Sequence, residues 1–64
     1  MANTIDVTER GSNRKLSLVV SNILHVEHFE VDGQPLTIIT LVGDKTIWVT
    51  ENIVNVKGQI NRAN

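Results

Sequence analysis

Residues 36–51 read LTIITLVGDKTIWVTE, and no other stretch of the chain restricts the fold as tightly. Two β-branched runs flank Gly43-Asp44, and a second turn pair, Asp32-Gly33, lies just upstream. Branching at Cβ narrows χ1 and favours a pleated strand, while Gly, Asn and Asp tolerate the positive φ of tight hairpins. The pattern predicts a three-strand antiparallel meander on which the rest of the chain must pack.

The remaining segments extend this reading. A first strand is expected over residues 4–9, with Ile5 and Val7 on one side and Asp6 and Thr8 on the other. A polar turn over 10–14 leads to a second strand over 15–20, with Leu16, Leu18 and Val20 inward and Val19 outward. Ser21-Asn22 compete for backbone hydrogen bonds and predict a turn or a single helical turn. The third strand, over 23–31, has mixed alternation: Leu24 and Val26 share one face, while Ile23, Phe29 and Val31 share the other, which implies a bulge or strong twist. Pro35 should precede or begin a fourth strand over 36–42, because it has no N–H to donate. That strand is apolar on both faces and so central. A fifth strand over 45–50 turns Ile47 and Val49 inward and Trp48 outward. Ile53, Val56 and Ile60 then fall at helical spacing. A short helix over 51–57 follows, with Thr50 as N-cap and Glu51 complementing the dipole; Gly58 weakens or ends it.

The expected fold is mainly β: five short antiparallel strands in a curved sheet or small open barrel, closed by a C-terminal helix, in one domain over 1–64. The expected core comprises Ile5, Val7, Leu16, Leu18, Leu24, Val26, Ile38, Ile47, Val49, Ile53 and Val56.

Size then bears on function. A chain of 64 residues hides only about 60% of the surface its unfolded form exposes. Small domains offset this with disulfides, metals or self-association. Cysteine is absent, which removes disulfides and thiolate metal sites. His25 and His28, with Glu27 and Glu30 nearby, would converge on a metal only on a helix; on a strand the two histidines point to opposite faces. No cofactor or metal is expected, and self-association becomes the leading remedy. Val19, Ile39, Leu41 and Trp48 are the surplus apolar positions assigned to a subunit or partner surface. Trp48 is either an interface anchor or the cap of a second small core, under the helix or against Val19.

A net charge of −1 excludes a wholesale electrostatic grip on nucleic acid. Arg10, Arg14 and Lys15 nevertheless cluster in the first hairpin and form a candidate phosphate contact. Phe29 and Trp48 are the only aromatics, too few for a multi-base stacking platform. Ser12, Ser17 and Ser21 sit in no G-x-S-x-G element, and no Walker or Rossmann glycine pattern occurs, so an enzyme is not expected. There is no apolar run near membrane-spanning length and no basic, apolar leader at the start, which fits a cytoplasmic location.

The order of elements resembles the small flagellar FlbD-type proteins. The shared pattern is Ile5-x-Val7-Thr8, Gly11 in the turn, Ile23 with Val26-Glu27, Thr37-x-Ile39-x-Leu41, the Gly43-Asp44-Lys45 turn, Val49-x-Glu51 and Val56. The strand–turn–strand–Glu portion also resembles the later half of LytTR-type DNA-binding domains. The chain departs from the FlbD-type pattern in its longer 30–35 connection, its outward Trp48 and its less regular C-terminal helix. The resemblance implies no catalytic residues and transfers no flagellar role. The functional expectation is a non-enzymatic, homo-oligomeric module, bacterial regulatory or phage-encoded, that docks or blocks a partner protein. The alternatives are a nucleic-acid adaptor using the basic loop, or an oligomer that sequesters a small anionic ligand.

Overall fold

The computed structural model describes residues 3–63. Among them, five strands and one helix run in the order β1 (Thr4–Thr8), β2 (Lys15–Val19), a 3-10 turn (Val20–Asn22), β3 (Ile23–Val31), β4 (Gln34–Leu41), β5 (Lys45–Val49) and α1 (Ile53–Ala63). The fold is mainly β, as expected. The strands form two antiparallel sheets, β1-β2 and β3-β4-β5, which do not close into a barrel. They meet at a single bridge between Glu9 and Val49, flanked by Arg10 N–H donating to the Trp48 carbonyl (2.7 Å) and Thr50 N–H donating to the Thr8 carbonyl (3.0 Å).

The turn chemistry sets the meander. Asp32 and Gly33 both take positive φ, +52° and +76°, between the paired residues Val31 and Gln34. Two positive φ values in a two-residue loop match the right-handed twist of the flanking strands. Gly43 (φ +89°) and Asp44 (φ +61°) turn the next hairpin, which pairs Leu41 with Lys45. Pro35 lies one residue inside β4, opposite Glu30, rather than before the strand. It is tolerated because the β4–β5 register begins only at Thr37 with Val49, so no fifth-strand partner awaits a Pro35 N–H.

The expected irregularity in β3 is present: the register slips between Ile23 and His25. The extra residue brings both Ile23 and Val26 against the core and leaves Leu24 58% exposed. Leu24 is therefore not a core residue, and its assigned parity with Val26 is corrected by the bulge.

The core consists of Ile5, Val7, Ile39, Val49 and Val56, with Leu16, Leu18, Val20, Ile23, Val26, Leu41, Ile47, Ile60 and Ala63 packed against it. The reading of β4 is inverted relative to expectation. Ile39 is fully buried and Leu41 packs inward, whereas Ile38 sits half-buried on the opposite face. With apolar residues on both faces, alternation alone could not choose which side met the helix.

The helix also differs from its expected span. It starts at Ile53 and runs to Ala63, through Gly58. Asn52, not Thr50, caps it: its Oδ1 accepts the Asn55 N–H at 2.8 Å and its carbonyl accepts the Val56 N–H at 3.1 Å. Val56, Ile60 and Ala63 carry the apolar stripe onto the core, and Arg62 in the last turn suits the negative end of the dipole. Burial of this stripe outweighs the roughly 1 kcal/mol that an interior glycine costs.

Two side chains tie the helical segment to β1. Gln59 accepts the Asp6 N–H (3.0 Å) and donates to the Asp6 carbonyl (2.9 Å), taking the place of a neighbouring strand. Glu51 accepts the Thr8 N–H on Oε1 (2.8 Å) and the Thr8 hydroxyl on Oε2 (3.0 Å). The Glu51 carbonyl also accepts the hydroxyl of fully buried Thr37 at 2.8 Å. Glu51 is thus a clamp between β1, β4 and the chain entering α1, not a helix-dipole residue. The edge of β1 that faces away from β2 has no unmet polar group at Asp6 or Thr8.

Candidate protein-interaction face

The side of the β3-β4-β5 sheet turned away from the core carries the exposed aromatic residues. The register places Ile38 between Glu27 and Trp48, and pairs Phe29 with Leu36. Because side chains alternate along a strand, Phe29, Leu36, Ile38 and Trp48 share one face, opposite Ile39, Ile47 and Val49. The Phe29 and Trp48 rings meet edge to face, with centroids 5.4 Å apart and planes at 66°. This geometry sets a positive ring edge against a negative ring face and is worth about 0.5–1.5 kcal/mol beyond simple burial. The pair stays open to solvent, Phe29 by 43% and Trp48 by 38%. Leu36 is 2% exposed yet lies outside the main core cluster. It is a buried residue of the outer face, paired across the ladder with Phe29.

Beside Trp48 lies an open cleft of about 240 Å³, lined by Arg10, Gln34, Pro35, Leu36 and Thr50. Arg10 reaches it because its backbone N–H is held by the Trp48 carbonyl. The first hairpin thereby brings Arg10 into the same cleft lining as Pro35 and Leu36, a cationic residue beside apolar ones, a combination suited to a partner group with both an apolar and an acidic part.

The assigned site residues divide between these surroundings. Trp48 lies on the outer face with Phe29, while α1 covers the opposite, core side. Val19 is half-buried at the end of β2, opposite Thr4. Ile39 is fully buried and Leu41 is turned to the core, so neither faces outward; both assignments are corrected by the inverted parity of β4. Arg14 and Lys15 are exposed at the base of the hairpin, apart from the cleft lining that Arg10 enters. The hairpin itself is held by the Ser12 hydroxyl donating to Glu9 Oε1 at 2.6 Å and by Glu9 N–H donating to the Arg14 carbonyl at 2.8 Å. Phe29, Leu36 and Ile38 are site residues that alternation within single strands does not single out. Counting the register outward from the two turns would align Phe29 with Leu36 and Ile38 with Trp48.

His25 Nε2 lies 3.3 Å from both Glu27 Oε1 and Thr40 Oγ1, and His28 Nε2 lies 3.6 Å from Glu30 Oε2. These pairs are well exposed and worth at most about 1 kcal/mol each. Among the described residues, no three His, Asp or Glu side chains converge in a way that would hold a metal ion. No described helix is long and apolar enough to cross a membrane. Compared with known proteins, the chain matches no family model, and no curated protein or solved structure is significantly similar to it.

Proposed function

We propose that this chain is a non-enzymatic protein-interaction module that self-associates and docks a partner protein through the outer face of its meander. The observation that carries the reading is the Phe29–Trp48 pair: two aromatic rings, the only ones in the chain, held together on an open surface beside a cleft. Aromatic side chains of this kind dominate the energetics of protein interfaces, and large exposed apolar area in a small protein marks a binding surface. A cytoplasmic location belongs to the same reading, and the cysteine-free composition suits it.

Substituting Trp48→Ala tests this reading, with Val54→Ala as a control at an exposed apolar position on the helix. Trp48→Ala should weaken partner capture while circular dichroism stays native, and Val54→Ala should leave capture intact. If Trp48→Ala lowers stability alone, with mass and capture unchanged, the ring pair is an internal brace and the docking surface lies elsewhere. A second reading, sequestration of a small anionic ligand, draws support from Arg10 in the lining of the cleft. The third, a nucleic-acid adaptor, keeps Arg14 and Lys15 as exposed cations. Salt separates phosphate binding from apolar docking, because only the former should lose affinity steeply as ionic strength rises.

A further inference from the structure

The geometry points to β3 as the strand through which two copies of this chain pair, antiparallel and centred on Val26. The inference rests on the self-association proposed above and names the edge that carries it.

The direction of the backbone groups follows from one bond. Trp48 offers its carbonyl to Arg10, so Trp48 turns its polar groups away from β4. Its partner Ile38 then turns its own toward β3, and Glu27, opposite Ile38, turns toward β4. Alternation leaves the N–H and C=O of Val26, His28 and Glu30 pointing out of the sheet edge. The edge of β1 beyond Asp6 and Thr8 is capped by Gln59, Glu51 and β5, whereas among the described residues the nine-residue β3 has a ladder on one side only. The other open edge, β2, has five residues and begins on Lys15.

Self-pairing about a two-fold axis must set residues of the same face opposite one another, so the axis passes midway between one residue and its own copy. An axis at Glu27 would oppose two carboxylates, and like charges opposed across a ladder are destabilising. An axis at His28 would oppose two imidazoles and set Val26 against Glu30. An axis at Val26 instead lets the two Val26 residues exchange both backbone hydrogen bonds and sets His25 opposite Glu27 of the second copy, twice. The same register carries Phe29 of the second copy to the bulge, beside outward-turned Leu24. These are two of the chain's exposed large apolar side chains, 43% and 58% open, and they would cover each other. The product is a continuous six-stranded sheet with the aromatic faces of both copies on one side.

Because the chain contains no cysteine, single-cysteine variants read the register directly. A hydrogen-bonded antiparallel pair sets its Cα atoms about 5.5 Å apart, within disulfide reach, whereas identical residues displaced by two or more positions lie beyond the roughly 7 Å limit. Under mild oxidation Val26→Cys should therefore form linked dimers about tenfold faster than His25→Cys, Glu27→Cys or His28→Cys. Independently, Glu27→Lys should abolish the dimer in light scattering, and the exchanged pair His25→Glu with Glu27→His should restore it. Equal linking rates, or fastest linking at position 28, would overturn the register. A dimeric mass in which Val26→Cys links no faster than the other variants removes this strand while leaving self-association standing; a monomeric mass at all concentrations removes both.

Discussion

Replacing Glu51 with alanine should unfold this protein at a much lower temperature than any other single surface change. The carboxylate accepts two hydrogen bonds from Thr8, at 2.8 and 3.0 Å, in a part-buried setting. Without it, the Thr8 N–H and hydroxyl are left in a crevice with no acceptor. Hydrogen bonds to charged groups contribute about 1.5–3 kcal/mol, and an orphaned buried donor costs about 1–3 kcal/mol. Partial solvent access argues for the lower half of both ranges, giving a loss of about 2–4 kcal/mol for Glu51→Ala. A domain of this size has a total stability of roughly 3–10 kcal/mol, so the loss is a large share of it. At about 4–8 °C per kcal/mol, the melting temperature should fall by roughly 8–32 °C. Glu51→Gln keeps one acceptor and should cost only about 0.5–1.5 kcal/mol. The assay is thermal and urea unfolding of Glu51→Ala, Thr8→Ala and the double variant. The cycle should show a coupling of about 1 kcal/mol or more between the two positions. A Glu51→Ala loss below about 0.5 kcal/mol, or strict additivity with Thr8→Ala, would refute the clamp.

Three further outcomes are expected. Gly58→Ala should stabilise the protein by about 0.5–1 kcal/mol in urea unfolding, since the helix continues through it and an added Cβ meets only Arg62 Nη1, at 3.4 Å. Ile39→Ala should destabilise by about 2–5 kcal/mol and Ile38→Ala by distinctly less, because only Ile39 is fully buried; equal losses would contradict the parity of β4. Gln59→Ala should cost about 1 kcal/mol and accelerate hydrogen exchange at the Asp6 amide, whose acceptor it removes.

Much of the fold is legible in the sequence because it is written in local chemistry. Asp32-Gly33 and Gly43-Asp44 announce turns through the backbone conformations these residues tolerate, and the alternation at Ile5 and Val7 matches their complete burial. The irregularity of β3 can also be read from its pattern, but not which residue the bulge expels; Leu24 and Val26 look alike until the register slips. β4 misleads for a related reason, since Ile38 and Ile39 are chemically identical and only the position of the helix distinguishes them. The helix begins at the stronger cap, Asn52, whose oxygen meets Asn55, and outlasts Gly58 because Ile60 and Ala63 have a core to join.

The candidate site is legible only in part. Trp48 declares itself by alternation, yet its partner Phe29 and the buried Leu36 come from other strands and emerge only once the register is counted. In the sequence Arg10 belongs to a basic cluster, whereas the structure separates it from Arg14 and Lys15 and turns it into the cleft. The clamping roles of Glu51 and Gln59 carry no local signal at all. Their partners lie 43 and 53 residues away, a separation that no window of periodicity spans.

The apolar side chains left exposed, Leu24, Phe29, Val42, Trp48 and Val54, are what make a neighbour necessary. Sedimentation equilibrium over a wide concentration range measures that need without any substitution. Self-pairing should give a reversible shift from the protomer mass of 7.1 kDa toward twice that value as concentration rises. A single species of 7.1 kDa throughout would contradict it.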